Sequence, residues 1–249
     1  MTKEERRIIA EKHFKEMQLP EIKPLTEHSI NNSIIYHDII HYDNDIEVID
    51  STTENAIFKF NNGVIPCVLN FASFTRPGGG FIKGSIAQEE ALCHVSNLYN
   101  VLLSFKEYYD KNYNADSFKN GLYDNWAIYS PSIYFKINGE ECYANVITCP
   151  APNYNIYKTI PLYKDILGDI IYDDVLRSRI KYVLNIARDN EQKVLILGAF
   201  GCGVFGNDPI KVASIFKSEL RNYKFEKVIF AIPHTNNGNY VAFKKILNK

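Results

Sequence analysis

Two neighbouring acids, Glu89 and Glu90, follow Gln88 seven residues after the glycine run Gly78-Gly79-Gly80. A carboxyl group beside backbone that can close tightly on a sugar–phosphate suits protonation of a glycosidic leaving group. Apolar residues at 87, 91, 95, 98, 102 and 105 predict one helix over 85–104 with its core face along that line. On such a helix Glu90 falls about 100° from the centre of the face, Gln88 about 60° to the other side, and Glu89 almost directly away from it. Carboxylates that diverge in this way cannot share one target, so their roles must differ. A plainer reading stands beside this one: acids in a first helical turn complement the helix dipole. The dipole also favours the ionised form, so a general acid placed there needs burial or a nearby phosphate charge to keep its proton.

The second candidate is Gly198-Ala-Phe-Gly-Cys-Gly-Val-Phe-Gly206, which contains G-x-G-x-x-G at 201–206. Glycines let backbone approach a phosphate closely, and free N–H groups before a helix attract anions. A ligand-free tight turn is the alternative, but four glycines in nine residues exceed what a turn requires. A dinucleotide site would need an acid roughly 20 positions on, at the end of the next strand. Glu226 has the distance but stands where the strand begins. A Walker loop fails as well, since Lys83-Gly84-Ser85 has the wrong order for GK[ST]. A diphosphate-binding loop survives, in which Gly201 and Gly203 give room and Cys202 serves through its N–H rather than its thiol.

These loops need a frame. Strands are expected at 46–49, 64–71, 126–137, 142–149, 193–197 and 227–232, and helices at 2–17, 56–60, 171–189, 209–221 and 240–247. Asn138-Gly139 marks a hairpin turn. Residues 25–44 read as a short strand or hairpin, and 105–125 as a surface excursion. The pattern predicts residues 1–44 as an extension packed on one α/β domain, 45–249, with a mixed, largely parallel sheet and helices on both faces. Ligands of such sheets sit beyond the carboxyl ends of the strands, which places both glycine loops on one rim. Asp50, Thr52 and His234 fall near that rim too, and tyrosines such as Tyr108, Tyr109 and Tyr113 could stack on a base, though most tyrosines will be packing.

Composition narrows the classes. Lys and Arg number 28 against 29 Asp and Glu, a net charge of −1 over 249 residues, which excludes gross capture of nucleic acid or an anionic membrane. Eight of the 13 glycines fall in the two loops, so backbone freedom is concentrated there. The five cysteines are scattered, none in C-x-x-C, as expected of free thiols in a reducing cytoplasm. The six histidines show no zinc spacing, so no metal is expected. No signal peptide and no membrane span is expected.

The spacing of GGG and QEE resembles the signature of the poly(ADP-ribose) glycohydrolases. The wider context NFAS…PGGG…GxxAQEExLCxxSNLY is similar to their microbial type, as are GAFGCGVFGNDP, the segment 228–233 and Asn239-Tyr-x-x-Phe243. The resemblance, over roughly residues 45–247, implies a three-layer α/β/α macrodomain-like fold and hydrolysis of ribose–ribose bonds without a cofactor. It implies Glu90 as the general acid and base and Glu89 as the residue holding ribose hydroxyls, with Gln88 in support. Gly78, Gly79 and Gly80 would contact diphosphate and ribose, and Ser73 ribose or adenine. Gly201, Cys202, Gly203, Val204 and Phe205 would form the second phosphate clamp, Phe205 shaping the distal ribose pocket. His94 stands where the family more often has arginine, one turn beyond Glu90. The implied partners are ADP-ribose or its polymer and ADP-ribosylated proteins, met by a monomer that makes no sequence-specific nucleic-acid contact. A binding module without turnover, and a hydrolase of mono-ADP-ribosyl groups or ADP-ribose-derived nucleotides, remain as alternatives.

Overall fold

The computed structural model describes residues 1–36, 44–161, 168–234 and 238–247. Thr2 opens the first helix: its hydroxyl accepts from the Glu5 amide, and the Glu5 carboxylate accepts from the Thr2 amide. This reciprocal cap starts α1 (Lys3–Glu16). Next come α2 (Lys23–Asn32), β1 (Ile34–Tyr36) and β2 (Ile46–Ile49), then α3 (Thr53–Phe60), capped by Thr52, and β3 (Cys67–Phe71). After a one-turn 3-10 helix at Phe81–Lys83 the chain forms α4 (Gln88–His94), α5 (Leu98–Leu102), α6 (Lys106–Asn114) and α7 (Asp116–Asn120). The hairpin β4 (Ala127–Ile137) and β5 (Glu140–Cys149) turns at Asn138 and Gly139, both left-handed. The remainder is α8 (Tyr154–Tyr157), α9 (Gly168–Asp189), β6 (Val194–Leu197), α10 (Pro209–Leu220), β7 (Lys227–Ala231) and α11 (Asn239–Leu247). Asp208 caps α10 and Pro209 takes its first position, as the sequence predicts.

The seven strands form one sheet in the order β1-β4-β5-β3-β6-β7-β2. β4 runs antiparallel to β1 and β5, and the other neighbours are parallel. Alternate residues serve opposite layers. Val68, Val146, Ile196 and Ile229 pack toward α3, α4 and α5, while Leu69, Ile147, Leu195 and Val228 pack toward α9 and α10. That double burial explains the apolar start of β3, Cys67–Leu69, each such side chain contributing roughly 1.5–3 kcal/mol. This is the α/β/α arrangement expected.

Arg179, on α9, is fully buried. Its guanidinium donates to Asn125 Oδ1 and to the carbonyls of Pro150 and Tyr123, and no carboxylate pairs with it among the described residues. It ties the 122–125 loop to the end of β5.

Several elements differ from expectation. The stretch 25–44 is helical through Asn32, because Pro24 sits in the first turn of α2 and starts that helix; the short strand expected there is β1, at Ile34–Tyr36, and 37–43 lie outside the described residues. The single helix expected over 85–104 is two, α4 and α5. Between them, residues 95–97 bond to the edge of β4: Lys136 N donates to Val95 O, and Asn97 N to Tyr134 O. The 105–125 excursion holds α6 and α7, with Tyr108 and Tyr109 buried.

Candidate active site

β3 ends at Phe71, and the chain then loops through Ser73 and the three glycines before entering α4. The Gln88 side chain continues β3 as a backbone would: its oxygen accepts from Phe71 N at 2.8 Å and its nitrogen donates to Leu69 O at 2.9 Å. This fixes the first turn of α4 against the strand, and with it both acids.

Glu89 and Glu90 are buried, 3% and 6% exposed. For Glu89 this overturns the expectation that it points away from the core. The apolar line used to orient the helix spans two helices, and within α4 alone the buried residues are Glu89, Glu90, Leu92 and Cys93. Glu89 accepts from Ser73 N at 2.7 Å and from Asn70 Nδ2 at 3.2 Å. Burial outweighs these bonds and pushes its carboxyl up to about 8, with the neighbouring Glu90 adding to the rise. Burial thus favours the protonated form of Glu89. One oxygen of Glu90 accepts from Gly80 N at 2.7 Å; the other, Oε2, is buried and has no hydrogen-bond partner among the described residues.

Gly79 is left-handed, with φ +59°, and a side chain there would place its Cβ 2.6 Å from Glu90 Oε1 and 3.0 Å from Glu89 Oε2. Gly78, at φ +63°, would put a Cβ 2.5 Å from the Tyr99 ring. The glycine run lets the loop lie directly on the two carboxyls.

The second loop is built differently. Gly201 rests against Ala151 and the buried Asn207, whose amide donates to Pro152 O at 3.1 Å and whose oxygen accepts from the Tyr172 hydroxyl. Asn155 supports the far side, donating to Phe205 O from its amide at 3.1 Å and to Val204 O from its side chain at 3.0 Å. The amides of Gly203, Val204 and Phe205 donate to nothing among the described residues, which leaves three N–H groups for an anion. The Cys202 amide donates to Ala199 O at 3.0 Å, and burial pushes the thiol up, so the sulfur is a neutral filler.

A cavity of about 410 Å³ opens between the second loop and the start of α4. Gln88, Gly201, Gly203, Val204 and Phe205 line it, with Phe71, Thr52 and Pro233. Ser73, Gly78, Gly79, Gly80, Glu89 and Glu90 form a second cluster, outside the cavity wall, joined to it through Gln88. Cys202 does not line the cavity. Asp50 is engaged by His234, whose amide donates to it at 2.7 Å. His94 turns its ring edge-on to Phe81, 4.8 Å away. Sequence reasoning gave no role to Asn70, Asn155, Tyr172 or Asn207: Asn70 holds the Glu89 carboxyl, and the other three hold loop backbone. Asn70 and Asn207 stand inside the NFAS and GNDP segments, but spacing alone does not say what they hold. Among the described residues no cluster of three His, Cys, Asp or Glu side chains could hold a metal ion, and no helix is long and apolar enough to cross a membrane.

Fold and site together are those of a macrodomain-like hydrolase. The family model for the catalytic domain of microbial-type poly(ADP-ribose) glycohydrolase matches residues 2–136. The poly(ADP-ribose) glycohydrolase of Thermomonospora curvata superimposes with a TM-score of 0.83 at 28% identity, over 97% of this chain and 99% of that one. The same protein bound to the inhibitor ADP-HPD gives 0.82 at the same identity and coverage. The Deinococcus radiodurans enzyme in complex with ADP-ribose gives 0.76 at 30% identity, over 92% of this chain and 98% of that one. No curated protein matches the chain. The chain belongs to the microbial-type poly(ADP-ribose) glycohydrolase family.

Proposed function

We propose that the chain hydrolyses the ribose–ribose O-glycosidic bonds of poly(ADP-ribose), working from chain ends and releasing ADP-ribose, with Glu90 as general acid and base. One observation carries this reading: Glu90 is buried, with one oxygen fixed by the Gly80 amide and the other, Oε2, unpartnered. As the anomeric C–O bond breaks, Oε2 delivers its proton to the leaving ribose oxygen. Water then adds to the oxocarbenium-like carbon and returns a proton to the same carboxylate. Glu89, whose burial favours its protonated form, can donate to a ribose hydroxyl, which keeps negative charge low beside Glu90 once that residue has given up its proton.

Gly78, Gly79 and Gly80 present the ribose, and Ser73 acts through its backbone. The free amides of 203–205 receive the diphosphate, and Phe205 shapes the pocket beyond. A cavity of about 410 Å³ suits one terminal nucleotide unit. The same reading takes ADP-ribosylated protein as the polymer's carrier, a monomer as the working form and the cytoplasm as its setting, the last supported by five free cysteines. It takes residues 1–44 as an extension on the catalytic domain 45–249.

The test is release of free ADP-ribose from purified polymer. Wild type should release it, and Glu90→Gln should lose roughly a thousand-fold in kcat while still binding ADP-ribose by calorimetry. Binding by wild type without release would make the chain a binding module. Release only from mono-ADP-ribosyl substrates would move it to the related hydrolases.

A further inference from the structure

We propose that α1 is a splint for the catalytic loop, and that Arg6 and His13 are positioning residues which hold the Gly80 amide and the Glu90 carboxyl in register. The inference rests on the role given to Glu90 above. It starts at Gly84, which ends the turn Phe81–Lys83 in a left-handed conformation, φ +73°. Backbone meets backbone there: a Cβ on Gly84 would run into Lys3 O and stand 3.0 Å from Arg7 N. Arg6 closes the contact, its Nε donating to Gly84 O at 2.8 Å and its Nη1 to Met1 O at 2.9 Å.

The choice of partner is informative. Arg7 pairs with Glu4 and Glu11 on the same helix, but no carboxylate pairs with Arg6 among the described residues. The Arg6 charge is spent on carbonyls of the loop and of its own first turn. From Gly84 the linkage to the acid is short. Ser85 N donates to Gly80 O at 3.1 Å and Lys83 N to the same oxygen at 2.9 Å, while Gly80 N donates to Glu90 at 2.7 Å. One peptide-bonded glycine thus receives the pull of α1 on its carbonyl side and holds the carboxyl on its amide side.

The same helix fixes the other end of α4. His13 Nε2 lies 2.9 Å from Ser96 O, and burial holds its imidazole below the usual range, so the neutral ring carries its proton on Nε2 and donates it. The Ser96 hydroxyl in turn donates to Leu92 O at 2.7 Å, in the last turn of α4. Between these anchors Phe81 is buried with rings around it, His94 at 4.8 Å and Tyr99 at 5.0 Å, and Phe14 of α1 meets Tyr99 at 5.3 Å. Tyr99 is the ring that lies against Gly78. The helix therefore grips the loop before the acids and the turn after them. A general acid works only within a narrow geometry, and displacement by about 1 Å can lower turnover about a hundred-fold.

The experiment uses the full-length chain and four variants: Arg6→Ala, Arg6→Lys, Gly84→Ala and Gly63→Ala. Gly63 is the control for backbone strain, being left-handed at φ +80° with nothing within 4 Å of a would-be Cβ. Arg6→Ala and Gly84→Ala are expected to lower kcat for ADP-ribose release about ten- to a hundred-fold, with KM and the calorimetric affinity for ADP-ribose within about two-fold. Arg6→Lys, which can still donate to Gly84 O, should recover most of the turnover, and Gly63→Ala should leave it unchanged. Deuterium exchange should rise in residues 78–90 of Arg6→Ala and Gly84→Ala. Wild-type turnover in both variants, or unchanged exchange in 78–90, overturns the splint. So does a loss of kcat in Gly63→Ala equal to that in Gly84→Ala. An inert wild type would instead overturn the function on which the inference rests.

Discussion

The two glycine loops share a rim and a composition but not a construction. At 78–80 every glycine is crowded: Tyr99 lies against Gly78, both carboxyls against Gly79, and Ser85 against Gly80. At 201–206 the crowding is confined to the ends, Gly201 and Gly206, and Gly203 has nothing within 4 Å. Val204, at the crest of the second loop, is 76% exposed. One loop is closed from within by side chains that carry chemistry; the other is braced at its ends and offers its middle to solvent. Glycine serves the first by letting backbone sit on an acid, and the second by leaving N–H groups uncovered. A glycine-rich motif alone does not distinguish these uses, but the surroundings of each glycine do.

Substitutions that add one methyl group separate the two designs. The largest effect is expected at Gly79, where alanine must displace the Glu90 carboxyl and adopt an unfavourable φ. Turnover of Gly79→Ala should fall about a hundred-fold or more, measured as ADP-ribose release. Gly201→Ala should act on binding, because the Cβ presses on Asn207 and on Ala151 at 2.6 Å. Its calorimetric affinity for ADP-ribose should drop roughly ten-fold, a shift of about 1.4 kcal/mol.

A smaller effect concerns the acid beneath the first loop. Glu89 keeps its proton in the folded state up to about 8 but releases it near 4.5 when unfolded. Its contribution to stability is therefore complete below about pH 4.5 and is lost as pH rises through 8. Glu89→Gln cannot ionise, so between pH 5.5 and 8.5 its melting temperature should decline less than that of wild type, by about 5 °C on a thermal scan. The smallest change is expected for Gly203→Ala, which should keep turnover and ADP-ribose affinity within about two-fold. A large loss there would show that the second loop is closed during the reaction and would erase the contrast drawn above.

Much of this frame was legible in the residues. The buried run ending at Phe71, the Asn138-Gly139 turn and the Asp208-Pro209 start each carry a local signal, and each lies where that signal predicts. The break at 95–97 carried none, because Ser96 and Asn97 leave the helix to bond with β4, a partner more than thirty residues away. Reading one helix where there are two also misdirected Glu89, since the apolar line that oriented it belongs half to α5. The pairing of Gln88 with β3 depends on strand and helix meeting end to end, which spacing alone does not reveal. Asn155 is an ordinary loop asparagine, and Asn207, though inside GAFGCGVFGNDP, shows no sign of its job until the fold brings the two beneath Val204 and Gly201.

Arg179 has a consequence for how the molecule opens. Its guanidinium is shared among the Tyr123 carbonyl, Asn125 and Pro150, and among the described residues no carboxylate pairs with it if one of them leaves. Releasing the 122–125 loop alone would strand a charge in the interior, and releasing the 150 corner alone would do the same. The two segments are thus obliged to part together, as a single latch. In amide exchange they should protect and release as one unit, although Tyr123 and Pro150 are 27 positions apart along the chain.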